Sequence, residues 1–282
     1  MHWIVYHIAS GHAFFSGLLF VCLAVVFSQA DKTRWLAKIS LLVGVISIGL
    51  TSTPLAYWFY VLGLSISAIW LIRPKRIAKS QTIGVLLIGW CILAFLFELP
   101  NQWLPFVTPT QDQRLVIIGD SVTAGMGGSD TTQKWPIILA EEYSIDIQDL
   151  SHPGATASSA LKRVRSDPPI GELVVIEIGG NDVLGSTSSS QFQHDLTALF
   201  ESLAVPGRQM VMLELPLIPF YHEYGRIQRH VANQFDVKLV PKAHFLAVLA
   251  EEKATVDSIH LTQHGHAMMA KMIWQVVKPA YR

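Results

Sequence analysis

The stretch Leu115-Val116-Ile117-Ile118-Gly119-Asp120-Ser121 reads as a buried strand that runs into a turn. Four aliphatic residues without alternation fit a parallel strand covered on both faces, and Gly-Asp-Ser then breaks the run with residues that favour turns. The same pattern recurs downstream. Further short aliphatic runs lie at Ile145–Leu150, Leu173–Ile178, Met210–Leu215 and Val237–Val240. Helical stretches fit between and after them, near Gln133–Glu142, Ser158–Arg165, Gln191–Leu203, Tyr224–Asn233, Lys242–Lys253 and Gln263–Val277. Strands alternating with helices predict a three-layer α/β/α domain around a five-stranded parallel sheet. Ligands in such open sheets bind at the carboxyl ends of the strands.

Four short patches sit where those ends should be. They are Gly119-Asp120-Ser121, Gly154, Gly179-Gly180-Asn181-Asp182 and Asp257-Ser258-Ile259-His260. Together they supply what acyl transfer from an ester needs. Ser121 offers a hydroxyl that becomes nucleophilic only when a base takes its proton, and His260 is the candidate base. Asp257 lies three residues before His260, a spacing that lets its carboxylate fold back on one ring nitrogen and leave the other for Ser121. The backbone N–H groups of Ser121 and Gly154 and the Asn181 amide are candidate donors to the developing oxyanion.

In order and spacing these patches resemble the signature blocks of the SGNH, or GDSL-type, hydrolases. The resemblance runs from about Arg114 to the C-terminus. It implies Ser121 as nucleophile, Gly154 and Asn181 completing the oxyanion hole, and Asp257 with His260 completing the triad. The Gly119-Asp120-Ser121-Val122-Thr123 turn is not the G-x-S-x-G elbow of the ordinary α/β-hydrolases. The Gly154 block departs from the family pattern, reading Asp149-Leu150-Ser151-His152-Pro153 without an early asparagine.

Other readings of single patches are weaker. Asp257, His260, His264 and His266 cluster in sequence, with His260 and His264 at the spacing of a zinc helix. A metal there would leave Ser121 and Asn181 without a purpose, so no metal or cofactor is expected. His264 and His266 are expected at the surface or beside the site on the last helix.

The first hundred residues differ in kind. The chain has 282 residues with 21 basic against 21 acidic side chains, a balance that argues against a nucleic-acid partner. Its mean hydropathy is +0.38, and the excess lies almost wholly before residue 100. Apolar runs of membrane length occupy Trp3–Ser28, Arg34–Ser52, Pro54–Ile72 and Gln81–Phe97. The uncharged stretch Ile39–Ile72 would make roughly 50 Å of helix, too long for one crossing, so a break at Thr51-Ser52-Thr53-Pro54 is expected. Before Gln111 every lysine and arginine falls in two clusters, Lys32, Arg34, Lys38 and Arg73, Lys75, Arg76, Lys79. By the positive-inside rule both face the cytoplasm, which predicts four spans with both termini outside. His2, His7 and His12 are expected to pack in the bundle or at its interface, and Cys22 and Cys91 to be reduced packing residues.

The expected organisation is therefore a transmembrane region at 1–98, a proline-rich linker at 99–113 and a hydrolase domain at 114–282. Trp103 and Phe106 suit the headgroup layer. The function expected is a membrane-anchored, extracytoplasmic serine esterase whose substrate is a lipid or an acylated envelope molecule. Alternatives are an O-acyltransferase or O-deacetylase acting on an envelope glycan, and a non-catalytic membrane binding module.

Overall fold

The computed structural model of the chain describes residues 3–72, 79–126, 131–185, 187–217 and 219–281. His2, Arg73, Lys75 and Arg76 lie outside the described residues. The chain divides into two compact units: His7–Gln102 with Leu217–His222, and Met1–Tyr6, Trp103–Pro216 and Glu223–Arg282.

The first unit is built on α1 (Trp3–Ala9), α2 (His12–Phe27), α3 (Arg34–Leu50), α4 (Tyr57–Ile72) and α5 (Lys79–Glu98). The break expected before Pro54 is present between α3 and α4. The run Trp3–Ser28, expected as one straight span, is instead bent by 87° at Ser10-Gly11. Gly11 adopts φ 87°, a conformation that glycine reaches without steric cost. Ser52 holds the bend by donating its N–H to Ile8 O at 3.1 Å and its hydroxyl to Ala9 O at 2.6 Å.

By length and composition two helical stretches can cross a membrane, Asp31–Leu50 and Gln81–Gln102, with mean hydropathies of 1.5 and 2.3. The bent pair would be a third, whereas α4, at 16 residues, is short of the ~20 that a crossing needs. Helices α2 and α3 meet backbone to backbone. A Cβ on Gly44 would lie 2.8 Å from Gly17 O, so only small residues permit the approach. Phe14, Leu18, Val21, Leu41 and Leu87 fill the interior of this unit. Leu19, Leu42, Val61, Leu64, Leu86 and Leu93 point outward. Cys22 and Cys91 are free thiols within it.

The second unit carries β1 (Arg114–Gly119), α6 (Ser121–Ala124), α7 (Trp135–Tyr143), β2 (Asp146–Asp149), α8 (Ala157–Ser166), β3 (Leu173–Glu177), α9 (Gly180–Leu184), α10 (Ser189–Leu203), β4 (Gln209–Leu213), α11 (His222–Gln234), β5 (Lys238–Val240), α12 (Lys242–Ala250) and α13 (Gln263–Val277). The five strands pair in parallel in the order β2-β1-β3-β4-β5. Leu115–Ile118 on β1 and Leu173–Ile176 on β3 are closed to solvent, as expected for the centre of a sheet with helices on both faces. Burying each such side chain stabilises the fold by about 1.5–3 kcal/mol. The chain leaves β1 toward β2 on one side and places β3 on the other. That reversal opens a crevice at the carboxyl ends of β1 and β3.

Two further details bear on this unit. Residues 103–113, part of the expected linker, group with the sheet and are strapped to it. Thr108 and Gln209 exchange two hydrogen bonds of 2.8 Å, Gln111 N–H donates to Glu172 at 2.8 Å, and Thr110 N–H donates to Ala280 O at 3.0 Å. Val107 is buried beneath them, while Trp103 and Phe106 stay exposed. Near the end of β4, Glu214 lies in a buried charge cluster. Its Oε1 accepts from Arg229 Nε at 2.7 Å and lies 3.9 Å from Lys242 Nζ. Burial pushes the Glu214 carboxyl up, but the two cations outweigh it and hold it below the usual range.

Candidate active site

Ser121 is the first residue of α6, set there by the turn that ends β1. Asp120 caps this short helix by accepting the Val122 N–H at 2.9 Å. The turn is tight because Gly119 has no side chain: a Cβ there would fall 2.3 Å from Thr123 Oγ1.

His260 arrives from the loop before α13, which is held on both flanks. Thr255 and Leu261 form an antiparallel bridge, Val256 N–H donates to His260 O at 2.8 Å, and Thr262 Oγ1 donates to Lys253 O at 2.6 Å. Thr262 also caps α13 by accepting the Gly265 N–H. Within the loop Ser258 takes φ 84°, a left-handed turn that folds Asp257 back on His260.

The result is a continuous contact line. His260 Nε2 lies 3.1 Å from Ser121 Oγ, and His260 Nδ1 lies 2.6 Å from Asp257 Oδ2. The other Asp257 oxygen accepts the backbone N–H of His260 at 2.9 Å and of Ile259 at 3.2 Å. The His260 backbone and then its ring draw the Asp257 carboxyl down to about 2. A carboxylate on Nδ1 keeps the proton there and leaves Nε2 free to accept the serine proton.

The three residues expected to donate to an oxyanion follow the ends of three neighbouring strands. Ser121 follows β1, Gly154 follows β2, and Asn181 sits on α9 after β3. Gly154 has φ 75° and faces open space. Among the described residues neither the Ser121 N–H nor the Gly154 N–H has an acceptor. Asn181 differs, because its Nδ2 donates to Asp120 Oδ2 at 2.9 Å and to Ala155 O at 3.0 Å.

Thus Ser121, Asp257, His260 and Asn181, all expected from sequence, are linked by hydrogen bonds or lie one bond removed through Asp120. His264 is exposed as expected. His266 is not at the surface: it is fully buried and accepts the Trp135 N–H on Nδ1 at 3.3 Å, which ties α13 to α7. Ser188, from the Ser/Thr-rich loop after Asn181, caps α10 by accepting the Gln191 N–H. Ser186 lies outside the described residues.

Glu177 was not anticipated. It ends β3 inside an aliphatic run, and a lone carboxylate in such a run was the only signal. Its Oε2 accepts the Asp120 N–H at 3.2 Å and the Thr123 hydroxyl at 3.0 Å. Burial, and after it Asp120, push the Glu177 carboxyl well above the usual range. Asp120 is raised by burial against the opposing pull of Val122 N–H, Glu177, His260 and His152.

Comparison with known proteins agrees with this geometry. Esterase TesA of Pseudomonas aeruginosa is 29% identical over 183 residues, spanning 59% of this chain and 89% of that protein. Thioesterase 1/protease 1/lysophospholipase L1 of Escherichia coli is 23% identical over 198 residues, spanning 66% and 94%. The crystal structure of TesA superposes with a TM-score of 0.51 at 28% identity, covering 60% of this chain and 99% of that one. The esterase EstA of Pseudoalteromonas gives 0.52 at 20% identity over 59% and 97%, a likeness of fold. The sequence profile of the GDSL-like Lipase/Acylhydrolase family matches residues 117–268, from within β1 to the middle of α13 and thus across every patch named above. With more than half of its length inside that match, the chain belongs to the GDSL-like lipase/acylhydrolase family and is a serine hydrolase of ester bonds.

Proposed function

We propose that this protein is a membrane-anchored esterase whose catalytic domain lies on the extracytoplasmic side and cleaves carboxylic esters of lipids or acylated envelope molecules. The observation that carries the chemistry is the unbroken line from Asp257 through His260 to Ser121. In the forward step His260 Nε2 takes the Ser121 proton as Oγ bonds to the carbonyl carbon. The carbonyl oxygen becomes an anion facing the N–H groups of Ser121 and Gly154, with Asn181 beside them. His260 then gives the proton to the departing alkoxide, leaving an acyl-serine. Water, deprotonated by the same nitrogen, attacks that ester, and the acid departs as Ser121 regains its proton. The names of the two relatives, an esterase and a thioesterase/lysophospholipase, favour acyl groups of lipid origin.

The anchoring rests on separate evidence. The helical stretches Asp31–Leu50 and Gln81–Gln102 are long and apolar enough to cross a bilayer, and the outward leucines and valines of the helical unit suit hydrocarbon better than water. The two basic clusters orient an even number of spans between them with the catalytic domain outside. Four spans need α4 to cross with help from its flanks, and the bent α1–α2 pair to count as one.

Two measurements test this. An active-site phosphonate should label the detergent-solubilised protein, and Ser121→Ala should abolish the label; a label that persists removes Ser121 from the chemistry. A C-terminal reporter that is active only in the cytoplasm overturns the orientation.

A further inference from the structure

Strand β3 ends on a buried acid that the acyl-transfer steps leave unused. Glu177 is 5% exposed. It reaches both sides of the nucleophile, taking the Asp120 N–H before Ser121 and the Thr123 hydroxyl after it. Asp120 then spends one oxygen on the Val122 N–H and the other on Asn181 Nδ2. One chain of hydrogen bonds thus runs from Thr123 through Glu177 and Asp120 to Asn181. Space is kept for it: a Cβ on Gly180 would come within 3.4 Å of Asp120 Oδ2.

We propose that Glu177 is a positioning residue for ester hydrolysis, clamping Asp120 and Thr123 so that the Ser121 hydroxyl and the Asn181 amide are held in one fixed frame. The proposal rests on Ser121 being the nucleophile. A neutral acid suits the place, since two carboxylates in a dry site cannot both stay ionised at hydrogen-bond distance. Burial first, and then Asp120, raise the Glu177 carboxyl, the direction that favours its neutral form. Among the described residues, Thr123 from α6, His260 from the loop before α13, His152 from the loop after β2 and the buried Asp182 on α9 face this pair, the two histidines and Asp182 acting on Asp120. A second anion beside Asp120 would push it away and loosen both the turn and the amide.

The test uses the full chain in detergent, with p-nitrophenyl butyrate as substrate and a phosphonate as the active-site label. Glu177→Ala should lose roughly thirtyfold or more in kcat and in labelling rate, with KM changed less than about threefold, because orientation rather than binding is lost. Glu177→Gln keeps an acceptor for Asp120 and Thr123 and an N–H for the Asp120 carboxylate. It should recover to within about threefold of wild type in kcat and labelling rate. Glu177→Ala labelled at the wild-type rate overturns the proposal, as does Glu177→Gln impaired as deeply as Glu177→Ala. Should Glu177→Ala not fold, Glu177→Asp, too short to reach both the Asp120 N–H and the Thr123 hydroxyl, takes its place, and labelling at the wild-type rate there overturns the proposal. Ser121→Ala run alongside separates the two readings: label retained there defeats the nucleophile assignment, whereas label lost there but normal in Glu177→Ala defeats only the clamp.

Discussion

Asn181 holds Asp120 Oδ2 at 2.9 Å while its second amide hydrogen goes to Ala155 O at 3.0 Å, so the side chain meets the substrate with both N–H groups already committed. The oxyanion must share one of them. In the proposed mechanism the backbone N–H groups of Ser121 and Gly154 therefore take the first share of the negative charge.

Asn181→Ala should consequently fall at the mild end of oxyanion-donor losses, about a hundredfold in kcat against a usual range of 10²–10³. Steady-state kinetics with KM measured alongside will show it. A loss confined to KM would place Asn181 in ground-state binding instead.

Asp257→Asn should reduce kcat by about two to four orders of magnitude, because an amide at 2.6 Å from Nδ1 favours the wrong imidazole tautomer. The pH dependence has a definite sign. The folded carboxyl is depressed to about 2, below an unfolded value near 3.9, so its hold on His260 is complete above the unfolded value. It is lost only as pH falls through about 2. A profile of kcat/KM between pH 3 and 8 should show no limb attributable to Asp257.

Gly154→Ala tests the left-handed backbone at φ 75°. Nothing blocks the added methyl in space, so its cost is conformational, about 1–2 kcal/mol. If the backbone relaxes toward negative φ, the N–H turns away from the oxyanion and kcat drops at least about tenfold. Thermal unfolding and kinetics on one sample separate the two effects.

Glu214→Ala leaves the Arg229 and Lys242 cations buried without their shared anion. Removing one partner of such a cluster typically destabilises by about 3–5 kcal/mol. Since the Glu214 carboxyl is held below its ordinary value, the cluster's contribution is fully present above about pH 4.3. It is lost as pH falls through the lower folded-state value. Urea unfolding at pH 7 and pH 3.5 should show the difference between wild type and variant shrinking at the acid end.

The sheet was legible because a parallel strand covered on both faces has to be an aliphatic run, and Leu115–Ile118 and Leu173–Ile176 are written that way. The grouping of Ser121, His260 and Asp257 was legible because a nucleophile, a base and an orienting acid each admit few residue types, and hydrogen bonds join the three. The roles of Asp120 and Glu177 beneath them were not, since a hydrogen bond between residues 57 apart leaves no periodic trace. The bend at Ser10-Gly11 was hidden for a similar reason. The apolar run continues through it, and the Ser52 bonds that stabilise it come from 43 residues away. His266 looked like a surface residue because helix spacing alone does not reveal that the Trp135 N–H approaches it.

The nucleophile and its base stand 139 residues apart in sequence but 3.1 Å apart in space. During synthesis Ser121 therefore emerges long before any group that can deprotonate it, with most of the parallel sheet still to form. The hydroxyl stays inert until the loop that carries His260 closes over the finished sheet. Biosynthesis is in this sense its own safety catch: a chain clipped just ahead of Thr255 already holds all five strands, yet it lacks both Asp257 and His260 and so has no base to activate Ser121.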